Sequence, residues 1–401
     1  MCLDRSGIMA EFDNNMESGK PEETGSYTSL NQLLAAEDAE FSKEFETMQN
    51  SEIKEAFRLK TERPENDGDG KPKKKRRLWL VVLGRLAVLF LVVLLSVVAL
   101  LLGAVGVICK GPSPTMRDKL VSTMMETSAA KFVARIYLSD EEIDAILNNN
   151  KIVEFAEVTE PIEEFEPPAD DKEIDDIEIV DVTGPTYRGK MMIVQDPSRV
   201  EIATLTAFNT EAGGKRVEEF VKEAGAVAGV NGAGFADEGG VGNGGTPLGI
   251  VIHESKLVYG SIGAETVVIG FDQDDHLIVG KMTGQEALDR NMRDAVSFGP
   301  VLVVNGKAAE VSGNGGGLNP RTAIGQRADG AVLILVIDGR QAHSIGASYE
   351  DLINVMLEYG AINAANLDGG SSSLMVYNDE IITICASLYG SRKIPTAFIV
   401  K

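Results

Sequence analysis

The sequence predicts an α+β fold, a strand-rich mixed sheet with a few helices, preceded by one transmembrane helix and a helical stalk. Three observations predict it. No charged residue interrupts the run LAVLFLVVLLSVVALLLGAVGVIC from Leu86 to Cys109. Beyond residue 177, short apolar runs alternate with turns dense in Gly, Asn and Asp. Only three segments of that region combine helical spacing with a cap, so strands dominate and helices are few.

The apolar run is long enough, at about 1.5 Å per residue, to cross a hydrocarbon core about 30 Å thick. Leu78 to Gly84 extends it, with Arg85 reaching for the headgroups. A core helix apolar on every side is rare in soluble proteins. A cleaved signal peptide fits no better, because the run is too long and starts some 77 residues into the chain. The basic run Lys71 to Arg77 directly precedes it, so the positive-inside bias keeps residues 1–77 cytoplasmic and places everything after about residue 110 outside. The chain is thus expected in the cell membrane as a single-pass protein.

Five segments follow from composition. Residues 1–77 are polar, acidic and then basic, and read as a mostly disordered tail. Residues 78–109 are the transmembrane helix. Residues 110–150 read as a helical stalk, with Ser139 as N-cap, an acidic first turn, and Ile143, Ile146 and Leu147 at helical spacing before Asn148-Asn149-Asn150. Residues 151–176 are acidic and contain Pro, the pattern of a self-repelling extended linker. A globular domain then occupies residues 177–401.

Within that domain, strands are expected over residues 177–204, broken at Thr183-Gly184-Pro185 and Asp196-Pro197-Ser198. Val217, Phe220, Val221 and Ala224 mark a helix closed by Gly225. Thr283 and Glu286 form a capping-box pattern for a second helix. Val301 to Val304 before Asn305-Gly306 signals a hairpin. Ala331 to Ile337 is an apolar run short enough to be a strand buried on both faces. A third helix runs from Ser348 to Tyr359 and stops at Gly360.

The formal charge of -23 over 401 residues argues against nucleic acid as a partner, because phosphates and such a surface repel. Cys2, Cys109 and Cys385 are odd in number and far apart, so neither a disulfide framework nor a zinc ligand set is expected. No cofactor motif is read, no metal site is assigned, and the oligomeric state is left open. Asp272, Asp274 and Asp275 read as a solvated hairpin turn in preference to a calcium loop, and His253 and His276 as structural.

Chemistry-bearing residues gather in four segments, each where a strand should yield to a tight turn. They are Asn231-Gly232-Ala233-Gly234-Phe235, Asn319 to Gly325 (NPRTAIG), Asp338-Gly339-Arg340, and Asn366 to Ser373 (NLDGGSSS). Each alone fits an ordinary Asx-capped turn. Together they offer glycines that let a backbone approach a ligand and arginines that fork onto phosphate or carboxylate. Asp338 and Asp368 both end apolar segments, and their strands flank one helix. If the strands are neighbours, both loops reach one sheet edge, where ligands gather in open α/β sheets.

This series, with the closing Gly390-Ser391-Arg392-Lys393-Ile394-Pro395-Thr396-Ala397-Phe398, resembles the phosphodiester glycosidase family over roughly residues 180–401. That family includes the enzyme that uncovers mannose 6-phosphate and bacterial surface proteins related to exopolysaccharides. Ser371 stands where the family pattern usually has a third glycine. The resemblance implies hydrolysis of the bond between a sugar's anomeric carbon and a phosphate oxygen, in a surface polysaccharide or glycan. It implies catalysis by Asp368 with Asp338 second, and phosphate held by Arg321, Arg340 or Arg392. Asn231, Asn366 and Ser372 become ligands for sugar hydroxyls or phosphate, Gly369 and Gly370 keep the approach open, and His343 is a candidate proton shuttle. A non-catalytic module that binds phosphorylated or anionic glycans through the same cleft is the alternative.

Overall fold

A computed structural model describes residues 78–127, 130–160, 164–166, 176–209, 211–237, 242–387 and 389–401. The expected tail over 1–77 lies outside the described residues, as does most of the acidic linker beyond residue 160.

The first element, α1 (Leu78–Lys110), contains a 30-residue apolar stretch, with an 18-residue window of mean hydropathy 3.2, whose apolar side chains are almost all exposed. Its length and composition suffice to cross a membrane. Three short helices follow: α2 (Pro114–Met125), α3 (Lys131–Tyr137) and α4 (Asp140–Asn149). The capping box expected at Ser139 is present, its hydroxyl accepting from Glu142 N. Cys109, Val121, Met124, Ala134, Leu138, Ile143 and Ile146 form one buried cluster, and the Tyr137 hydroxyl donates to Leu102 O at 2.7 Å. The expected stalk is therefore a packed unit.

That unit is joined to the sheets. Thr123 Oγ1 accepts from Leu318 N at 2.9 Å and Asn150 Oδ1 from Asn314 N at 2.8 Å. The described part of the expected linker also packs: Ile152 and Phe155 join the core clusters, and Thr159 N donates to Val279 O at 3.0 Å. Charge density suggested an extended chain. The apolar residues between the acids find partners, while Glu154 and Glu157 face water.

Seventeen strands are described: β1 (Ile177–Thr183), β2 (Arg188–Val194), β3 (Val200–Thr204), β4 (Ala228–Asn231), β5 (Val251–His253), β6 (Lys256–Tyr259), β7 (Glu265–Asp272), β8 (Leu277–Thr283), β9 (Met292–Ser297), β10 (Val301–Val304), β11 (Lys307–Ala308), β12 (Arg321–Arg327), β13 (Val332–Ile337), β14 (Ala361–Leu367), β15 (Met375–Tyr377), β16 (Glu380–Ile381) and β17 (Thr396–Val400). They sort into three antiparallel sheets. A seven-stranded sheet has the order β1-β2-β13-β12-β14-β10-β11, and two five-stranded sheets have the orders β16-β15-β4-β17-β3 and β6-β5-β9-β7-β8. Helices α5 (Val217–Ala224), α6 (Gly284–Asp289) and α7 (Tyr349–Glu358) complete the α+β class read from the sequence. Two have their expected caps, Gly225 at φ 61° and Thr283 with Glu286, and α7 opens on a Ser348–Asp351 capping box that the sequence reading did not name.

The apolar run of β13 shows how the core is built. Val332, Ile334 and Val336 enter a core shared by all three sheets, while Leu333, Leu335 and Ile337 enter a second core beneath Leu352, Ile353, Val355 and Met356 of α7. With a side-chain period of two, both faces are buried, so no polar residue interrupts the strand. Burying one such side chain contributes about 1.5–3 kcal/mol, and truncation of Leu335 to Ala should remove about 2–5 kcal/mol.

Two of the histidines pair with carboxylates. His253 Nδ1 lies 2.9 Å from Asp294 Oδ1, and His276 Nδ1 lies 3.2 Å from Asp272 Oδ2. Asp272, Asp274 and His276 bring ligand atoms within 4.8 Å of one another, but Asp272 Oδ1 already accepts from Asp274 N and His276 N in the β7–β8 turn.

Candidate active site

Strand order creates the site. β13 and β14 each pair antiparallel with β12, so they run the same way and end at the edge where β12 begins. They are not direct neighbours, as the sequence suggested; β12 lies between them. Arg321, the first residue of β12, therefore stands between the turns that follow Ile337 and Leu367. A cavity of about 540 Å³ opens there, with walls from all four polar segments' surroundings and from the end of α2.

Asp368 is at its floor, half-buried and with one oxygen accepting from Gly369 N at 3.0 Å. Desolvation pushes its pKa up from 3.8 to about 6; bonds from the Ser372 hydroxyl and Gly369 N and the charge of Arg392 oppose the rise, and Asp237 adds to it. The backbone here is fixed from the second sheet. Asn231, fully buried at the end of β4, donates through Nδ2 to Asp368 O at 2.6 Å and accepts from Thr322 Oγ1 at 2.8 Å. Gly370 has φ 63°, and a β-carbon there would lie 3.2 Å from Arg340 Nη2, so both conformation and space require glycine.

Three arginines face the cavity in different states. Arg321, 4% exposed, donates to Glu126 Oε2 at 2.6 Å and to Gly317 O at 2.9 Å, and its guanidinium stacks 3.8 Å from the Tyr349 ring centroid. Arg392 forms a fork with Asp237 at 2.7 and 2.8 Å and lies 4.8 Å from the Phe235 ring centroid. The bond from Asp237 raises Arg392, and Arg392 in turn holds Asp237 below its ordinary value against a desolvation penalty. Arg340 differs. It sits at φ 58°, donates only to the neutral oxygens Thr127 Oγ1 at 3.0 Å and Asn319 Oδ1 at 3.1 Å, and makes no ion pair among the described residues. Desolvation and the nearby Arg321 charge lower its pKa, and the Glu126 charge opposes them. A guanidinium without a direct ion pair among the described residues is suited to an incoming anion.

Asn366 is a further lining residue. Its Nδ2 donates to Gly299 O and Leu367 O, both at 2.8 Å, which fixes the amide; its buried Oδ1 has no partner among the described residues. A buried acceptor without a partner is costly unless a donor reaches it.

Residues 224–401 match the family model described as phosphodiester glycosidase. This segment is similar to that family. Among curated relatives, the SPbeta prophage-derived uncharacterized protein YomE of Bacillus subtilis (strain 168) is 33% identical over 159 residues, covering 37% of this chain and 23% of its own. The N-acetylglucosamine-1-phosphodiester alpha-N-acetylglucosaminidase of Bos taurus is 27% identical over 183 residues, covering 41% of this chain and 34% of its own. The chain thus spans about a quarter to a third of the length of these relatives. A solved structure of the zebrafish N-acetylglucosamine-1-phosphodiester alpha-N-acetylglucosaminidase catalytic domain, auto-inhibited by its pro-peptide, aligns over 56% of this chain and 81% of its own, with 22% identity and a TM-score of 0.46.

The cavity gathers most residues that the motifs singled out. Asp368, Arg321, Arg340, Arg392, Asn366, Gly369, Gly370 and Ser372 all line the cavity. Asn231 lies beneath it and holds the Asp368 backbone. Asp338 stands aside: Oδ1 accepts from Ile384 N at 2.8 Å, and Oδ2 is 3.9 Å from Nε2 of the exposed His343, neither residue lining the cavity. Burial raises the Asp338 pKa. Sequence reasoning missed Asp237, Tyr349, Glu126 and Thr127 as lining residues. Asp237 follows Phe235 by two positions and could have been read with NGAGF. Glu126 is 195 positions from Arg321, and no local pattern links them.

Proposed function

We propose that the protein hydrolyses a glycosyl phosphodiester at the bond between the anomeric carbon and the phosphate oxygen, releasing a free sugar and a phosphate monoester. The observation that carries this reading is the pairing of Asp368, a desolvated carboxylate at the cavity floor, with Arg340, a guanidinium without a direct ion pair among the described residues, on either side of Gly370. Phosphate is a competent leaving group, so the departing oxygen needs charge stabilisation more than a strong general acid. On this reading Arg340 receives the phosphate, and the ionised Asp368 acts at the anomeric carbon as nucleophile or as base toward water. Asn366 Oδ1 accepts from a sugar hydroxyl or N–H. Asp237, kept ionised by Arg392, is the second carboxylate facing the ligand. Asp338 supports the wall through Ile384.

The proposal extends to location. The exposed apolar surface of α1 supports a single membrane span, and the basic run before it supports a cytoplasmic N-terminus with residues 110–401 outside. A surface polysaccharide or envelope glycan is then the accessible substrate. The packing of residues 113–160 on the sheets favours one continuous extracytoplasmic unit over a stalk and free linker.

The test is sugar release from a panel of soluble α-glycosyl phosphodiesters by the detergent-solubilised full chain, beside Asp368→Asn and Arg340→Ala. Turnover by the parent, at least a thousandfold lower in Asp368→Asn and with raised KM in Arg340→Ala, supports hydrolysis. Binding of the panel without turnover in the parent would make the domain a glycan-phosphate binding module.

A further inference from the structure

The buried Arg321 guanidinium is served by a carboxylate from outside the three sheets. Glu126, the residue after α2, accepts through Oε2 from Arg321 Nη2 at 2.6 Å and Asn319 Nδ2 at 2.9 Å, and through Oε1 from Gly317 N at 2.8 Å. Thr127, the next residue, accepts from Arg340 Nη2 at 3.0 Å and donates to Asn319 Oδ1 at 3.3 Å. One two-residue segment therefore touches two of the three cavity arginines, Arg321 and Arg340, together with Asn319. Its position is fixed on the other side by the Thr123–Leu318 bond and by the cluster around Cys109.

We propose that Glu126 is a positioning residue of the active site, acting through Arg321, and that the helices ahead of the sheets are part of the catalytic unit. The inference rests on the reading of the cavity as a phosphodiester site. Glu126 has both oxygens engaged by the protein, with three acceptor sites directed at Arg321, Asn319 and Gly317. Its effect is electrostatic and geometric. It neutralises Arg321, which leaves Arg340 as the cation that meets phosphate, and it fixes Asn319 so that Asn319 Oδ1 orients Arg340. Near neutral pH the cavity holds Arg321, Arg340 and Arg392 against Glu126, Asp237 and Asp368. Removing the Glu126 charge leaves a surplus cation at Arg321, and an anion then finds two guanidinium groups where it previously found one.

This gives a signature that loss of packing would not. In the full chain, Glu126→Gln should lower kcat by tenfold or more and tighten binding of inorganic phosphate severalfold, read as product inhibition and directly by calorimetry. Glu126→Ala should behave alike, and added formate should restore part of its rate by refilling the carboxylate position. Melting temperatures measured alongside separate these effects from unfolding. Because phosphate binding needs no turnover, that arm stands even if the parent hydrolyses nothing. Unchanged kcat and phosphate affinity in both folded variants would overturn the proposal. So would a rise in kcat, which would make Glu126 a blocking group. If Glu126→Ala does not fold, Glu126→Gln alone decides.

Discussion

The side-chain amide of Asn231 donates to the Asp368 carbonyl at 2.6 Å, tying the end of β4 in one sheet to the end of β14 in another. The same side chain accepts from Thr322 Oγ1 on β12 and from Leu374 N. A buried amide with this many partners fixes where the Asp368 carboxylate, catalytic on the proposed reading, can point. Asn231→Ala leaves the Thr322 hydroxyl and Leu374 N without that acceptor and should lower stability by about 1–3 kcal/mol. It should reduce kcat more than it raises KM, because the phosphate-facing Arg340 is untouched. Denaturant titration and steady-state kinetics check the two parts.

Asp368 gives a pH dependence of activity. Its pKa is pushed up to about 6 by burial, and on the proposed mechanism the ionised form acts at the anomeric carbon. The rate should therefore rise with pH through about 6 and level off above 7. A profile of kcat/KM that instead falls across this range would assign Asp368 the role of acid.

The same shift affects stability. Between the unfolded value near 3.8 and the folded value of about 6, the native state binds more protons than the unfolded state, so stability falls as pH rises through this window. At about 1.4 kcal/mol per unit, the charged form costs about 3 kcal/mol above pH 6. Asp368→Asn should abolish turnover while raising the melting temperature at pH 7.5, with no gain at pH 4. Calorimetry at the two pH values is the check.

Gly370 joins Asp368 to Arg340 sterically. Gly370→Ala places a β-carbon 3.2 Å from Arg340 Nη2 in a backbone at φ 63°. The conformation alone costs about 1–2 kcal/mol, and the displaced guanidinium should raise KM for the phosphodiester about tenfold or more. Gly225→Ala, also in the left-handed region but with open space around it, should lose stability and keep KM.

Much of this was legible where the physics is local. The run from Ala331 to Ile337 reads as a strand buried on both faces, because seven apolar residues in a row leave no side for water. NLDGGSSS placed Asn366, Asp368, Gly369, Gly370 and Ser372 on one wall because they are contiguous. Pairings over long sequence separation were not legible. β12 inserts between β13 and β14, and this order, not adjacency, brings Arg321 between their ends. Asp338 shares the motif logic of Asp368, yet its carboxylate turns to Ile384 N, a partner 46 positions on. The helices read as a stalk have an ordinary amphipathic pattern, which says that one face is buried but not against what.

The site of bond cleavage is the most direct test of the proposed chemistry. The full chain should be run on an α-glycosyl phosphodiester in water enriched in ¹⁸O, and both products analysed by mass spectrometry. Attack at the anomeric carbon, with Asp368 serving that carbon and Arg340 holding the leaving phosphate, places the label in the free sugar and none in the phosphate monoester. Label in the phosphate monoester, with none in the sugar, would mean cleavage at phosphorus and would contradict the assignment of both residues.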